Sequence, residues 1–190
     1  MTDLPTPVLV EEDPVLASLC AAACTATGAT SAWVIAVTGD RLSVVAARGA
    51  VGSRVRGLVV DVDGSAGFVA ASGQPMALTP RPGDQNVAGG VLGAVSIVPS
   101  SLLSLPCIDG DGVVGVLELV DKLGGERFSF DDVEIGTLLA SVAGPALQQR
   151  SQQPRAASPD SIAAQLRALA DDDPARYAQV AWVIAQLLAS

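Results

Sequence analysis

A chain of 190 residues, 49% of them apolar, is long enough to bury one packed core and carry an appendage. Twenty acidic against eleven basic residues leave a net charge of −9, which repels phosphate backbones and anionic lipid and so excludes nucleic acid and membrane surfaces as natural partners. The absence of histidine removes the usual general base, the commonest zinc ligand and a proximal haem ligand together.

Residues 1–13, rich in proline and acid, read as an N-terminal arm. Pro14 then starts a helix in which Val15, Leu16, Leu19, Cys20, Ala23 and Cys24 recur at helical spacing, ending near Gly28. Ala32 to Val37 and Leu42 to Ala47 form a first hairpin turning at Gly39-Asp40, and Arg54 and Arg56 follow as a solvated loop. Gly64 to Gly73 reads as a short helix leading into a strand at Met76 to Thr79. The segment from Pro80 to Ser100 is longer than an ordinary connection and reads as an irregular loop. Its Val87, Val91, Leu92, Val95 and Ile97 are too apolar for open solvent and must cover something.

Ser101 to Ile108, the turn Asp109-Gly110-Asp111-Gly112, and Val113 to Val120 make a second hairpin. Ser129 is placed to cap a helix from about Phe130, with Asp131 and Asp132 at its positive end. Residues 151–158 are polar and read as a linker. In the tail, 159–190, Ser158-Pro159 and Asp173-Pro174 each set a capping side chain before a proline, predicting two helices. Ile162, Leu166 and Leu169 stripe the first, and Tyr177, Val180, Ile184, Leu187 and Leu188 the second, with Trp182 and Val183 widening that band.

Two blocks carry a family resemblance. Ser101 to Gln148, with SLLSLPCIDGDGVVGVLELVDK and the capped helix, resembles the C-terminal half of a GAF domain, and Gly64 to Pro75 resembles the segment that precedes it in that family. The resemblance covers residues 14–150. It implies an α/β (α+β) fold, GAF-like and PAS-related, with a central antiparallel sheet of five to six strands. Helices are expected on one face and a lid loop over a pocket on the other, with Gly89, Gly90 and Gly93 giving the lid backbone freedom.

The same resemblance nominates ligand contacts. Glu118 and Ser104 would be polar anchors on the pocket face of the sheet, on the side of Val114, Val116 and Val120. Phe68 and Asn86 would contribute from the covering helix and lid. A carboxylate there is costly unless partnered, and the alternative is a Glu118 that emerges at a wet sheet surface or bonds a backbone amide. Asp121, Lys122, Phe128, Asp132 and Val133 partly match a cyclic-nucleotide motif of the family, with Asp for Asn and Val for Glu. Lys122 and Asp132 are therefore expected as a structural pair, which if exposed contributes about 0–1 kcal/mol.

No catalytic or metal site is expected. Cys20 and Cys24 read as small buried hydrophobes, and Cys107 as at most a lone thiol reactive if its pKa is depressed. Haem bound through histidine and bilin attached at a Cys-His pair are disfavoured as cofactors, and the cysteine placement departs from family members that reduce methionine sulfoxide. An odd cysteine count and an N-terminus unlike a secretion signal point to the cytoplasm. The expected function is a non-catalytic regulatory sensor, homodimeric, that binds a small molecule and signals in trans to a separate protein. The alternative is a ligand-free module acting in docking or dimerisation.

Overall fold

The structure, a computed structural model, describes residues 13–110, 112–152 and 159–188. The expected arm lies outside the described residues except for Asp13, whose Oδ1 accepts from the amides of Val15 (2.9 Å) and Leu16 (3.2 Å) and so starts helix α1, Pro14–Thr27. Gly28, at φ 71°, ends it. Strands β1 (Ala29–Thr38) and β2 (Arg41–Gly49) form the first hairpin. A one-turn helix α2 (Gly52–Val55), the short strand β3 (Val59–Asp61), helix α3 (Gly64–Ser72) and strand β4 (Met76–Leu78) follow.

Residues 80–100 depart from the irregular loop expected of them. They contain two short helices, α4 (Gln85–Ala88) and α5 (Gly90–Ala94), whose Val87, Val91 and Leu92 are buried. Strands β5 (Leu102–Asp109) and β6 (Gly112–Lys122) make the second hairpin, and helix α6 runs Phe130–Gln152. Ser151 and Gln152 of the expected linker thus finish α6, and the rest of that linker lies outside the described residues.

All strands join one antiparallel sheet in the order β3-β2-β1-β6-β5-β4. Both faces are covered, which is why β5 and β6 read as nearly continuous apolar runs rather than alternating ones. On one face α1 and α6 pack over Val34, Leu103, Leu105, Leu117 and Leu119. On the other, α3 and the segment containing α4 and α5 pack over Trp33, Ile35, Val44, Leu102, Val116 and Val120.

Two irregularities decide which side chain goes where. A bulge opposite Val34/Ile35 sends Val45 and Ala46 together to the α1/α6 face, and a register shift at Cys107/Ile108 sends Val114 to that face as well. Val114 is therefore not on the Glu118 side.

Close approach of α6 to the sheet depends on glycine. A Cβ at Gly144 would stand 2.0 Å from the carbonyl oxygen of Ile108, and one at Gly115 would stand 2.4 Å from that of Ile35. Backbone cannot step aside as a flexible side chain can.

The chain divides into two compact units, residues 1–152 and 153–190. In the second, α7 (Pro159–Asp172) and α8 (Pro174–Leu188) pack on each other. Asp173 caps α8 by accepting from the Arg176 amide (3.0 Å), while Ser158 lies outside the described residues. Ile162, Tyr177, Trp182 and Val183 are exposed; the side chains of Ile184, Leu187 and Leu188 are not among those described.

Replacing Gly144 by Ala tests the seating of α6. Although alanine is the better helix former, overpacking against the Ile108 carbonyl is expected to cost about 1–3 kcal/mol, read as a lower urea midpoint with unchanged m-value.

Candidate functional site

The register of the central strands assembles one polar cluster on an apolar face. Glu118 lies on β6 directly opposite Trp33 of β1 on one side and Ser104 of β5 on the other. Three side chains that are far apart in the chain thereby form a row across the sheet, and Ser65, in the first turn of α3, sits above it.

Glu118 is fully buried and all its partners are side chains. The Trp33 indole N–H donates to Oε2 (2.8 Å), and the hydroxyls of Ser65 (2.6 Å) and Ser104 (2.8 Å) both donate to Oε1. This corrects the alternative drawn from the sequence, since neither a wet surface nor a backbone amide receives it. Burial pushes its pKa up, and the bonds from Ser65, Ser104 and Trp33 offset this in part. Chemically the cluster is a carboxylate whose acceptor sites face the protein's own donors, so it ties α3 to the centre of the sheet.

The other expected ligand contacts do not converge there. Phe68 is 53% exposed, because Ser65, Ala66, Gly67 and Val69 form the inward side of α3 and Phe68 falls on the outward one. Asn86 lies in α4, and its side chain is not among those described. Trp33 and Ser65 were missed by sequence reasoning. An indole on a central strand beside a buried acid was the available signal for the first, and a serine opening a helix has no signal of its own.

The glycines of the cover segment serve packing rather than freedom. A Cβ on Gly89 would meet Asp63 Oδ2 at 2.1 Å, one on Gly90 the Asp63 carbonyl oxygen at 2.4 Å, and one on Gly93 the Ala88 carbonyl oxygen at 2.1 Å. Asp121, at φ 55°, fastens the end of this segment by accepting from the amide (2.6 Å) and hydroxyl (2.9 Å) of Ser100. A cleft of about 390 Å³ opens at the sheet edge, lined by β3, Arg41, Asp63, Gly89, Gly90 and Ala94, with Arg41 ion-paired to Asp61. Among the described side chains, Phe68, Ser104 and Glu118 do not line it.

Lys122 and Asp132 form the expected pair, but largely buried rather than exposed, with side chains 17% and 7% accessible. Asp132 also accepts from the amide (2.6 Å) and hydroxyl (2.9 Å) of Ser129, whose oxygen in turn accepts from the Asp132 amide (3.2 Å). Burial pulls the Asp132 pKa upward, yet the Lys122 ammonium and the Ser129 donors together hold it below the usual carboxylate value. The arrangement locks the end of β6 to the start of α6.

Cys20, Cys24 and Cys107 are free thiols. Burial, and secondarily the neighbouring Cys20, push Cys107 up to about 12, so it is held as the unreactive thiol at neutral pH. Among the described residues no three His, Cys, Asp or Glu side chains cluster as metal ligands, and no helix is long and apolar enough to cross a membrane.

The family model described as GAF domain matches residues 10–148. Among solved structures, the chain is similar to the GAF-B domain of DevS from Mycobacterium smegmatis, at 29% identity over 74% of this chain and 96% of that one, with a TM-score of 0.57. It shares its fold with the GAF domain from an Acinetobacter phosphoenolpyruvate-protein phosphotransferase, at 15% identity, 70% and 80% coverage and a TM-score of 0.58. The fold also matches free methionine-R-sulfoxide reductase from Neisseria meningitidis, solved with its substrate, at 19% identity, 75% and 82% coverage and a TM-score of 0.55. None of the curated proteins matches this chain.

Two substitutions separate charge from hydrogen bonding at Glu118. In Glu118→Gln the new carbonyl oxygen can face the indole while the amide donates to both serines, which become acceptors, so the variant should fold. Glu118→Ala strands the Trp33 donor, which costs about 1–3 kcal/mol. The pKa of Glu118 is raised on folding, so its contribution is present in full below the unfolded value and is lost as pH rises through the folded one. Asp132 runs oppositely, its contribution being present above its unfolded value and lost as pH falls through the lowered folded one. Urea titrations from pH 4 to 8 should therefore show Glu118→Gln gaining on the wild type as pH rises. Lys122→Ala should lose about 1–3 kcal/mol by leaving the buried Asp132 carboxylate without its cation, held by Ser129 alone, measured the same way at pH 7.

Proposed function

The chain belongs to the GAF domain family, and from that premise we propose that it is a non-catalytic regulatory protein that works through its outer surfaces, by self-association and by docking on a separate signalling protein. One observation carries this reading: the sheet face on which the family resemblance places a pocket is packed as a core. Trp33, Leu102, Val116 and Val120 interdigitate there with Ala66, Val69, Val91 and Leu92, and the acceptor groups of Glu118 are occupied from within. The exposed apolar residues of both units leave surface available for contact.

The non-catalytic part of the proposal has its own support. The chain has no histidine, and its buried Cys107 is held as the neutral thiol. Three free cysteines suit a reducing compartment, so the cytoplasm is the proposed location.

A second reading, small-molecule sensing, draws on Glu118 itself. A buried carboxylate is an expensive way to hold a core together, and an apolar residue of similar volume would often do as well. A ligand carrying a hydrogen-bond donor would replace Ser65, freeing α3 to move and transmit the change.

A thermal-shift panel of nucleotides, amino acids and aromatic acids decides between them. The docking reading expects no saturable stabilisation by any compound. A ligand present at about 100 times its Kd would add about 2.7 kcal/mol, and such a rise, abolished in Glu118→Gln, would establish the sensing reading in its place.

A further inference from the structure

The sheet ends at β3, and its register fixes which main-chain groups of that strand are left over. The Val44 amide donates to the Leu58 carbonyl oxygen (2.9 Å), Leu42 stands opposite Val60, and the Val62 amide donates to the Asp40 carbonyl oxygen (3.0 Å). Residues 58, 60 and 62 therefore face β2. By the alternation of an antiparallel ladder, the amides and carbonyls of Val59 and Asp61 point away from the sheet. Among the described residues no main-chain group pairs with them; one guanidinium nitrogen of Arg41 reaches the Val59 carbonyl oxygen, at 3.5 Å.

The cleft of about 390 Å³ lies along this edge, and the cover segment lines it only with Gly89, Gly90 and Ala94, none larger than a methyl. Donors and acceptors repeated along one extended backbone are matched by another extended backbone. The side chains of β3 say what that backbone should carry. Val60 turns to the face covered by α3 and α5, and Asp61 lies opposite Arg41 on the other face. A residue set opposite Val60 would thus point toward the small cover residues, where an apolar side chain fits. One set opposite Asp61 would meet a carboxylate whose side chain is 82% accessible; if basic, it would complete a row of alternating charge across three strands, after Arg41 and Asp61. Asp63 adds a second carboxylate to the cleft. A second copy of this chain is a poor occupant, because it would bring its own Asp61 and Asp63 and a further net charge of −9 to the same edge.

We propose that the open edge of β3 takes an extended segment of a separate protein, paired main chain to main chain with Val59 and Asp61, with a basic side chain beside Asp61 and an apolar one toward Ala94. This rests on the docking reading above and specifies its surface and the chemistry of its partner. Main-chain pairing supplies the attachment, and the two side-chain positions supply the choice of partner. Added salt weakens the contact at Asp61 and leaves the main-chain pairing.

The test uses the full chain, labelled with nitrogen-15, and as probe the synthetic peptide acetyl-Ser-Lys-Val-Lys-Val-Lys-Ser-amide. Binding is expected to be saturable with a Kd below about 1 mM. At about ten times that Kd, exchange of the Val59 and Asp61 amides into deuterated water should slow about tenfold, while the amides of β4, at the other edge, are unchanged. Val59→Pro removes an outward amide and no bond to β2, so it should keep the far-ultraviolet circular dichroism spectrum and weaken binding tenfold or more. Asp61→Lys, a second variant that leaves the main chain alone, should lose the basic peptide and take the one with Glu in place of each Lys. A Kd above about 1 mM would overturn the proposal. So would protection that spares Val59 and Asp61, or equal binding of the peptide methylated at its lysine amide nitrogens. Failure at the edge is read at Val59 and Asp61, whereas failure of the docking reading is read as a Glu118-dependent shift with a small compound, so the two are told apart.

Discussion

The antiparallel pairing of β1 with β6 is the contact on which everything else in the first unit rests. It joins residues 29–36 to residues 115–122, strands contributed by two separate hairpins, and so closes the sheet at its centre. Once that register is set, each face follows. Leu117 and Leu119 turn toward α1 and α6, while Val116, Glu118 and Val120 turn toward α3 and α5. A slip by one residue would exchange these sets and place Glu118 among the leucines under α6. The Trp33–Glu118 bond, spanning 85 residues of sequence, penalises that slip with an unpaired indole and an unpaired carboxylate.

The local parts of this fold were legible because each has a local cause. The turn between β5 and β6, the Ser129 cap of α6 and the left-handed glycines Gly28 and Gly73 are set by residues a few positions apart. The family resemblance supplied the order in which the pieces join. What was not legible depends on distance or on a single inserted residue. The shift at Cys107/Ile108 moves Val114 to the opposite face without any mark in the sequence. The glycines of residues 89–93 invite a reading of mobility, yet each is there because a backbone or carboxylate oxygen occupies the space of a Cβ.

The candidate site divides along the same line. Ser104 and Glu118 were recognisable as polar residues on an apolar face, but Ser65 and Trp33, which give them their meaning, come from α3 and β1 and are brought in by tertiary register alone. Phe68, the most conspicuous residue of α3 in the sequence, is turned outward by the helix period. The pair Lys122 and Asp132 met as expected, and its burial makes it a lock between β6 and α6 rather than a surface ion pair. The sheet, the cover and the two polar clusters together hold the shape of the first unit.

The packed state of the sheet face under α3 and α5 is the central physical claim, and the Trp33 indole proton reports on it directly. The chain has two tryptophans, one bonded to Glu118 in the interior and the other, Trp182, 65% exposed on α8. Exchange into deuterated water, followed on the two indole resonances, should remove the Trp182 signal within the dead time and leave that of Trp33 protected to the level of the slowest β6 amides. Loss of both signals together, while the β6 amides persist, would mean that the cover opens freely, and the claim of a sealed core would fall.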